Sequence, residues 1–296
     1  MRIVVLSRRP DLYSTLALVR AAASRGHDIR VMDTLLFDVH VRSGRPELFY
    51  QGEPIGPVDA VIPRIGASIT VYGLAVLRQF EMLGVYCLNP PHAIARSRDK
   101  FRALQVLSHR GILVPPTVFT RQATDLPRLM AQVDGPPVVV KLLEGTQGTG
   151  VVLAESQRAA GSVVEAFHGL DENILIQKFI GEAAGTDIRA LVVGRRVVAA
   201  MKRQAEPGEF RANLHRGGTA RAIWLEPAAQ RVAVTAARAL GLRMAGVDLL
   251  ESAEGPMVLE VNSSPGLEGI QRTTSIDVAD AVIRQVEREA TPASAM

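Results

Sequence analysis

Along residues 1–90, short apolar runs alternate with longer segments in which apolar residues recur every three or four positions. Residues 3–6 read as a buried strand, and 13–25 as an amphipathic helix closed by Gly26. Strands follow over 28–32 and 58–63, then a helix over 69–83 closed by Gly84, and a strand over 86–88. Alternation of this kind builds a small parallel sheet. The Gly- and Pro-containing stretch 43–57 fits a short hairpin or loop. Over 97–110 the pattern predicts one helix closed by Gly111, with Pro115 and Pro116 marking a boundary beyond it. Downstream, strand runs dominate, at 138–143, 151–154, 174–177, 188–193 and 196–201, with helices expected over 156–167 and 227–240. This half reads as α+β with antiparallel hairpins.

Two further runs, Ala245-Gly-Val-Asp-Leu-Leu250 and Met257-Val-Leu-Glu-Val-Asn262, flank a polar, turn-forming segment and predict a hairpin. Side chains alternate across a strand, so Glu260 and Asn262 share a face, and pairing brings Asp248 beside them. Two carboxylates and an amide on apolar strands are unfavourable unless something neutralises them. These are hard oxygen ligands, the set Mg²⁺ takes when it also carries nucleotide phosphates. The competing explanation is that each acid is simply solvated at a strand end.

Between two strand runs lies Lys141-Leu-Leu-Glu-Gly-Thr-Gln-Gly-Thr-Gly150. Glycines at 145, 148 and 150 let backbone N–H groups converge on an anion. No Gly-Lys-Ser/Thr follows, so this is not a Walker loop, and no G-x-G-x-x-G follows the first strand. A glycine-rich hairpin closing over phosphates remains, against a plain flexible turn. Lys141 ends an apolar strand, where a charge is costly if buried alone. A phosphate partner or a side chain reaching solvent would each resolve that. Lys100 opens a helix after Arg98 and Asp99 and says little by itself. The segment 202–218 carries Lys202, Arg203, Arg211 and Arg216 with Gly217 and Gly218. Arginine forks there suit phosphates or a carboxylate, although a charged loop is ordinarily just solvated.

Composition changes this picture only slightly. The 296 residues are 47% apolar and 22% charged, as in ordinary soluble proteins, and allow up to three domains. A net charge of +4 is too small to argue for nucleic-acid binding. The single cysteine, Cys87, excludes an internal disulfide framework and reads as a buried core thiol. The apolar start is too short for a signal peptide, and no run approaches the roughly 18 residues of a membrane span. A cytoplasmic protein without a membrane partner is therefore expected.

Taken together, these segments resemble the ATP-grasp superfamily, and within it the RimK-type α-L-glutamate ligases. The resemblance spans almost the whole chain. It rests on Ile62-Pro-Arg-Ile-Gly66, Leu77-Arg-Gln-Phe-Glu-Met-Leu-Gly84, Ala95-Arg-Ser-Arg-Asp-Lys100, the 140–150 loop, Asp187-Ile-Arg189, Phe210-Arg-Ala-Asn-Leu-His-Arg-Gly-Gly218, Ala245-Gly-Val-Asp248 and Leu259-Glu-Val-Asn-Ser-Ser-Pro-Gly-Leu-Glu-Gly269. It implies an ATP-grasp fold with an N-terminal pre-ATP-grasp parallel-sheet domain over 1–95. A central subdomain would cover 96–190, a C-terminal one 191–290, and a flexible tail 291–296.

The resemblance also implies site roles. Lys100 and Lys141, with Gly145, Gly148 and Gly150, would contact the phosphates of ATP. Gln177, Lys178, Phe179 and Ile180 match the hinge that reads adenine through its backbone; Lys178 stands where family members often carry an acid. Asp187 matches the ribose-binding acid, and Arg211, Ala212 and Asn213 a nucleotide-contacting segment. Asp248, Glu260 and Asn262 match the ligands of two Mg²⁺ (or Mn²⁺) ions; Arg203 matches a position that holds the acyl phosphate, and Arg203 and Arg211 would be catalytic, stabilising charge on the transferred group and intermediate. The implied substrates are L-glutamate and the C-terminus of a small-subunit ribosomal protein. The implied assembly is a homo-oligomer, a tetramer being one such state. A ligase for another acceptor, an ATP-binding regulatory module and a ribosome-associated binding protein stay open at this point.

Overall fold

The computed structural model describes residues 1–121, 125–142, 150–168, 173–212 and 217–291. The chain opens with β1 (Arg2–Leu6), α1 (Tyr13–Ser24), β2 (Asp28–Met32), β3 (Phe37–Arg42), β4 (Arg45–Tyr50), β5 (Glu53–Pro54), β6 (Ala60–Pro63), α2 (Thr70–Met82) and β7 (Tyr86–Cys87). Strands β2-β1-β6-β7 form the expected parallel sheet. The segment that reads as a hairpin or loop is larger than expected: β3, β4 and β5 make a separate three-stranded antiparallel sheet. Cys87 is buried, and burial pushes its thiol up to about 12.

The single helix expected over 97–110 is instead two, α3 (Pro91–Arg98) and α4 (Lys100–His109). Asp99 breaks the run. Its backbone is extended (φ −76°, ψ 99°), and its carboxylate accepts from Arg102 N at 3.0 Å, capping α4. Lys100 thus stands at the first position of a capped helix.

The second sheet, in the order β10-β9-β11-β8, is built from β8 (Thr117–Thr120), β9 (Val138–Leu142), β10 (Val151–Ala154) and β11 (Ile174–Lys178). Helices α5 (Leu126–Ala131) and α6 (Gln157–His168) pack with it around Val138, Val140, Ile174 and Ile176. The third sheet, β14-β13-β12-β15-β16, is antiparallel. Its strands are β12 (Thr186–Val193), β13 (Arg196–Gln204), β14 (Thr219–Ala222), β15 (Met244–Leu250) and β16 (Met257–Asn262), joined by α7 (Pro227–Ala239) and followed by α8 (Glu268–Thr274) and α9 (Val278–Glu289). The expected division after residue 190 falls inside β12; the chain changes sheet between Lys178 and Thr186. Of the expected tail, residues 292–296 lie outside the described residues.

The first and third sheets share one core. Ile3, Val5 and Ile62 from the parallel sheet meet Leu191, Val193 and Met201 from the antiparallel one, through Leu267, Ile270 and the apolar face of α9. Burying each such side chain contributes about 1.5–3 kcal/mol, so this shared core anchors the two sheets. It also ties the 262–267 loop to the start of α1: Leu267 N donates to Ser14 Oγ at 2.9 Å. No helix among the described residues is long and apolar enough to cross a membrane.

Candidate active site

The predicted hairpin forms. β15 and β16 pair with Asp248 opposite Glu260 and Gly246 opposite Asn262, and the register shifts just beyond Asp248. Across the other edge of β15, Asp248 faces Arg189 of β12, and Asp187 in turn faces Arg203 of β13. Strand alternation puts Asp187 and Arg189 on one side of β12, so four charged residues meet on one face.

They form a connected network. Arg189 Nε and Nη2 donate to the two Asp248 oxygens at 2.7 and 2.6 Å, and Nη2 lies 3.7 Å from Glu260 Oε1. Arg203 donates to both Asp187 oxygens at 2.5 and 2.6 Å and to Asp248 Oδ2 at 2.8 Å. Arg203 and Asp248 are only 3% and 2% exposed. Burial works to raise the Asp248 carboxyl, but the flanking guanidinium groups of Arg189 and Arg203 outweigh it and hold Asp248 well below the usual range. Burial, and then the charge of Asp248, push Asp187 upward. Enclosure, and then Asp248, raise Glu260, whose side chain is still 55% accessible.

The network fits a divalent cation. Asp248 accepts three arginine N–H bonds, one at Oδ1 and two at Oδ2; a carboxylate has about four acceptor sites, so capacity remains at Oδ1. Asn262 Oδ1 accepts from Ser264 N at 2.9 Å, which fixes the amide's orientation. Among the described residues no cluster of three His, Cys, Asp or Glu side chains could hold a metal ion; the resemblance would make the Asn262 amide the third oxygen beside Asp248 and Glu260.

Opposite this acidic face stand the lysines. Lys141 Nζ donates to Gln177 Oε1 at 2.6 Å, and Gln177 Nε2 to Thr117 Oγ1 at 2.8 Å. Burial depresses Lys141 to about 8; the charge of Glu260 opposes this, and that of Lys100 adds to it. Lys100 is lowered by burial and supported by Glu260. Lys100 thus disfavours the protonation of Lys141, and burial disfavours that of both, so an anion beside them would favour their charged forms. Gly150 closes the base of the glycine-rich hairpin with φ +70°, where a Cβ would sit 3.1 Å from Leu142 Cβ. Gly145 and Gly148 lie outside the described residues.

The hinge is placed beside this site. Lys178 N donates to Pro116 O and Phe179 N to Pro137 O, at 2.9 and 3.2 Å, so those two N–H groups are engaged within the protein. Lys178 Nζ pairs with Asp134 at 2.7 Å. Ile180 is buried against Ala183 and Met257. Phe179 meets Phe210 edge-on, the Arg211 guanidinium lies 5.2 Å above the Phe210 ring, and Arg211 Nη1 reaches Val151 O at 3.4 Å. Hinge, 210–212 segment and hairpin base therefore converge, with Ala212 buried beneath; Asn213 lies outside the described residues. Arg211 also pairs with Glu209 at 2.6 Å.

Two placements bear on the roles that the resemblance implies. Asp187 is only 7% exposed, and its two oxygens each accept from Arg203. Arg203 is held between two carboxylates through Nε and Nη2. Arg189 was given no role by sequence, although strand alternation from Asp187 was a signal that could have found it.

Comparison with known proteins gives the family. A RimK pre-ATP-grasp domain matches residues 1–94, and a RimK-like ATP-grasp domain residues 97–286. A probable alpha-L-glutamate ligase of Azotobacter vinelandii is 58% identical over 290 residues, covering 98% of this chain and 96% of that protein. One of Pseudomonas entomophila is 57% identical over 292 residues, covering 99% and 97%. The ATP-grasp ligase PsnB, solved with a minimal precursor, superposes with a TM-score of 0.75 at 24% identity, covering 96% of this chain and 98% of that one. D-alanine–D-alanine ligase of Bacillus anthracis gives 0.70 at 18% identity, covering 97% and 96%; both are likenesses of fold. The chain belongs to the RimK-like ATP-grasp family and is an ATP-dependent ligase.

Proposed function

We propose that the chain joins the α-amine of L-glutamate to the C-terminal carboxylate of a protein, the acceptor being a small-subunit ribosomal protein. The observation that carries this reading is the opposition of Lys100 and Lys141 to the Arg189–Asp248–Glu260 network. That arrangement suits a nucleotide triphosphate whose terminal phosphate faces a carboxylate. Glutamate is supported by the names of the 57–58% identical relatives. The ribosomal acceptor, the two-ion count and a homo-oligomeric state rest on the family resemblance. The reaction is placed in the cytoplasm, where ATP and ribosomes meet.

In the proposed reaction the acceptor carboxylate attacks the γ-phosphorus of ATP, ADP leaves, and an acyl phosphate forms. The glutamate amine then attacks the acyl carbon, inorganic phosphate leaves, and the amine loses a proton to yield a peptide bond. Such transfer depends on positioning and charge neutralisation. Lys141, steered by Gln177, and Lys100, set by the Asp99 cap, hold phosphate oxygens. Arg189 and Arg203 fix the Asp248 carboxylate, and Arg211, tied to the hinge through Phe210, brings positive charge to the phosphate side. Asp248, Glu260 and Asn262 would hold Mg²⁺, which supplies charge neutralisation of the phosphates. Incubation with ATP, Mg²⁺, glutamate and the purified acceptor tests the reading: acceptor mass should rise in glutamate steps. ADP release without such steps would move the acceptor elsewhere.

A further inference from the structure

Among the described residues, four buried side-chain polar atoms have no hydrogen-bond partner: Thr34 Oγ1, Arg64 Nη1, Ser264 Oγ and Gln271 Oε1. Thr34 follows the edge strand β2. The other three lie on two segments that share a core, Arg64 just past β6 and Ser264 and Gln271 on the 262–271 stretch. Arg64 N continues the β6 ladder by donating to Leu6 O at 2.9 Å. Alternation along β6 puts Ala60 and Ile62 in the core shared with Leu267 and Ile270, and Val61 in the opposite core. Arg64, two residues beyond Ile62, is thus directed to the side on which Ala60 and Ile62 share a core with Leu267 and Ile270. Ser264 and Gln271 flank Leu267 and Ile270 on that segment.

Three connections tie these segments to the active site. Ser264 N is bonded to the Asn262 amide. Pro265 packs on Gly246, where a Cβ would come within 2.9 Å of it and where Arg189 Nε is 3.8 Å away. The carbonyls of Ile65 and Gly66, next to Arg64, accept from Arg98, two residues before Lys100. Arg64 also stands at the carboxyl end of a parallel strand, where open α/β sheets bind ligands.

An arginine N–H buried without an acceptor is costly in a ligand-free chain, and burial lowers the Arg64 guanidinium to about 10. A planar carboxylate is the matching partner. Resting on the ligase reading above, the geometry points to Arg64, with the Ser264 hydroxyl, as the subsite for a non-reacting carboxylate of the amine-donor amino acid. The reacting acceptor carboxylate belongs at the phosphate end, beside Lys141 and Glu260. The donor, by contrast, must present its amine there and be held from behind. Arg64 is placed for that task, and it would select acidic or free-carboxylate amino acids over their amides. L-Glutamate has two such carboxylates; L-glutamine keeps only the α-carboxylate and L-isoglutamine only the γ-carboxylate, so they distinguish the two sources.

The test uses the full chain with ADP and Mg²⁺, titrated with L-glutamate, L-aspartate, L-glutamine and L-isoglutamine, in wild type, Arg64→Gln, Arg64→Lys and Ser264→Ala. Arg64→Gln should weaken glutamate binding and raise its KM by at least about tenfold, with ADP affinity and kcat within about twofold. The amide that lacks the held carboxylate should bind wild type and variant equally weakly. Ser264→Ala should shift glutamate in the same direction by less. Unchanged glutamate affinity in a folded Arg64→Gln that binds ADP normally overturns the proposal. If Arg64→Gln does not fold, Arg64→Lys and Ser264→Ala decide in the same way. If wild type shows no glutamate-dependent ADP release, the ligase reading is what has failed for glutamate. The subsite then stands only if aspartate or either amide binds wild type and not the Arg64 variants, and falls if none does.

Discussion

Arg189 and Asp248 sit directly opposite each other on β12 and β15 and share two parallel hydrogen bonds, at 2.7 and 2.6 Å. Asp248 is thereby aimed before any cation arrives, and its charge is kept ionised in a buried setting. Removing one partner strands the other. Arg189→Met should therefore cost about 3 kcal/mol in chemical denaturation. A loss under about 0.5 kcal/mol would mean that Arg203 alone suffices to hold Asp248.

Glu260 separates cation binding from stability, because its side chain is 55% accessible. Glu260→Gln should raise the Mg²⁺ concentration for half-maximal ADP release by about tenfold or more, with unfolding free energy changed by less than about 1 kcal/mol. An unchanged Mg²⁺ requirement would remove Glu260 from the ligand set.

Lys141 gives a pH signature. Burial leaves its folded pKa at about 8, below the ordinary lysine value of 10.5. Below pH 8 both folded and unfolded states carry the proton, and the folded state bears the cost of a buried charge. Between 8 and 10.5 the unfolded state holds more protons, so this group makes stability rise with pH there. ATP binding runs the opposite way, since phosphates need the charged form. ATP affinity should fall by up to about tenfold per pH unit above 8, and calorimetry should record proton uptake on binding. Lys141→Met should bind ATP weakly with a flat profile; a wild-type profile flat to pH 10 would contradict this assignment.

Asp99 positions Lys100 by capping α4. Asp99→Ala should cost about 1 kcal/mol and raise the KM for ATP, while Asp99→Asn, which can still cap, should restore both. Equal ATP kinetics in all three proteins would show that the cap does not set Lys100.

What could be read from the sequence depended on how local the signal was. The Asp248–Glu260 pairing was legible because period-two alternation on both sides of one polar turn sets the hairpin and its facing residues. The parallel sheet was legible for a similar reason, as each strand is followed by its own turn signal. The break at Asp99 was not, because Arg96-Ser-Arg-Asp-Lys100 is polar throughout and the capping bond depends on one backbone angle. Arg189 was missed because its role depends on β12 lying beside β15, a pairing between segments some 60 residues apart in sequence. Arg64 carries no signal beyond its motif in the sequence; its orphaned nitrogen emerges only in the folded chain.

The central claim is that this site couples ATP cleavage to glutamate addition at a protein C-terminus. Intact mass spectrometry of the purified ribosomal acceptor, incubated with enzyme, ATP, Mg²⁺ and glutamate, tests it most directly. The account predicts glutamate-sized increments that require ATP and vanish with Glu260→Gln at low Mg²⁺. An unmodified acceptor, with neither ADP release nor glutamate consumption while ATP still binds, would contradict it.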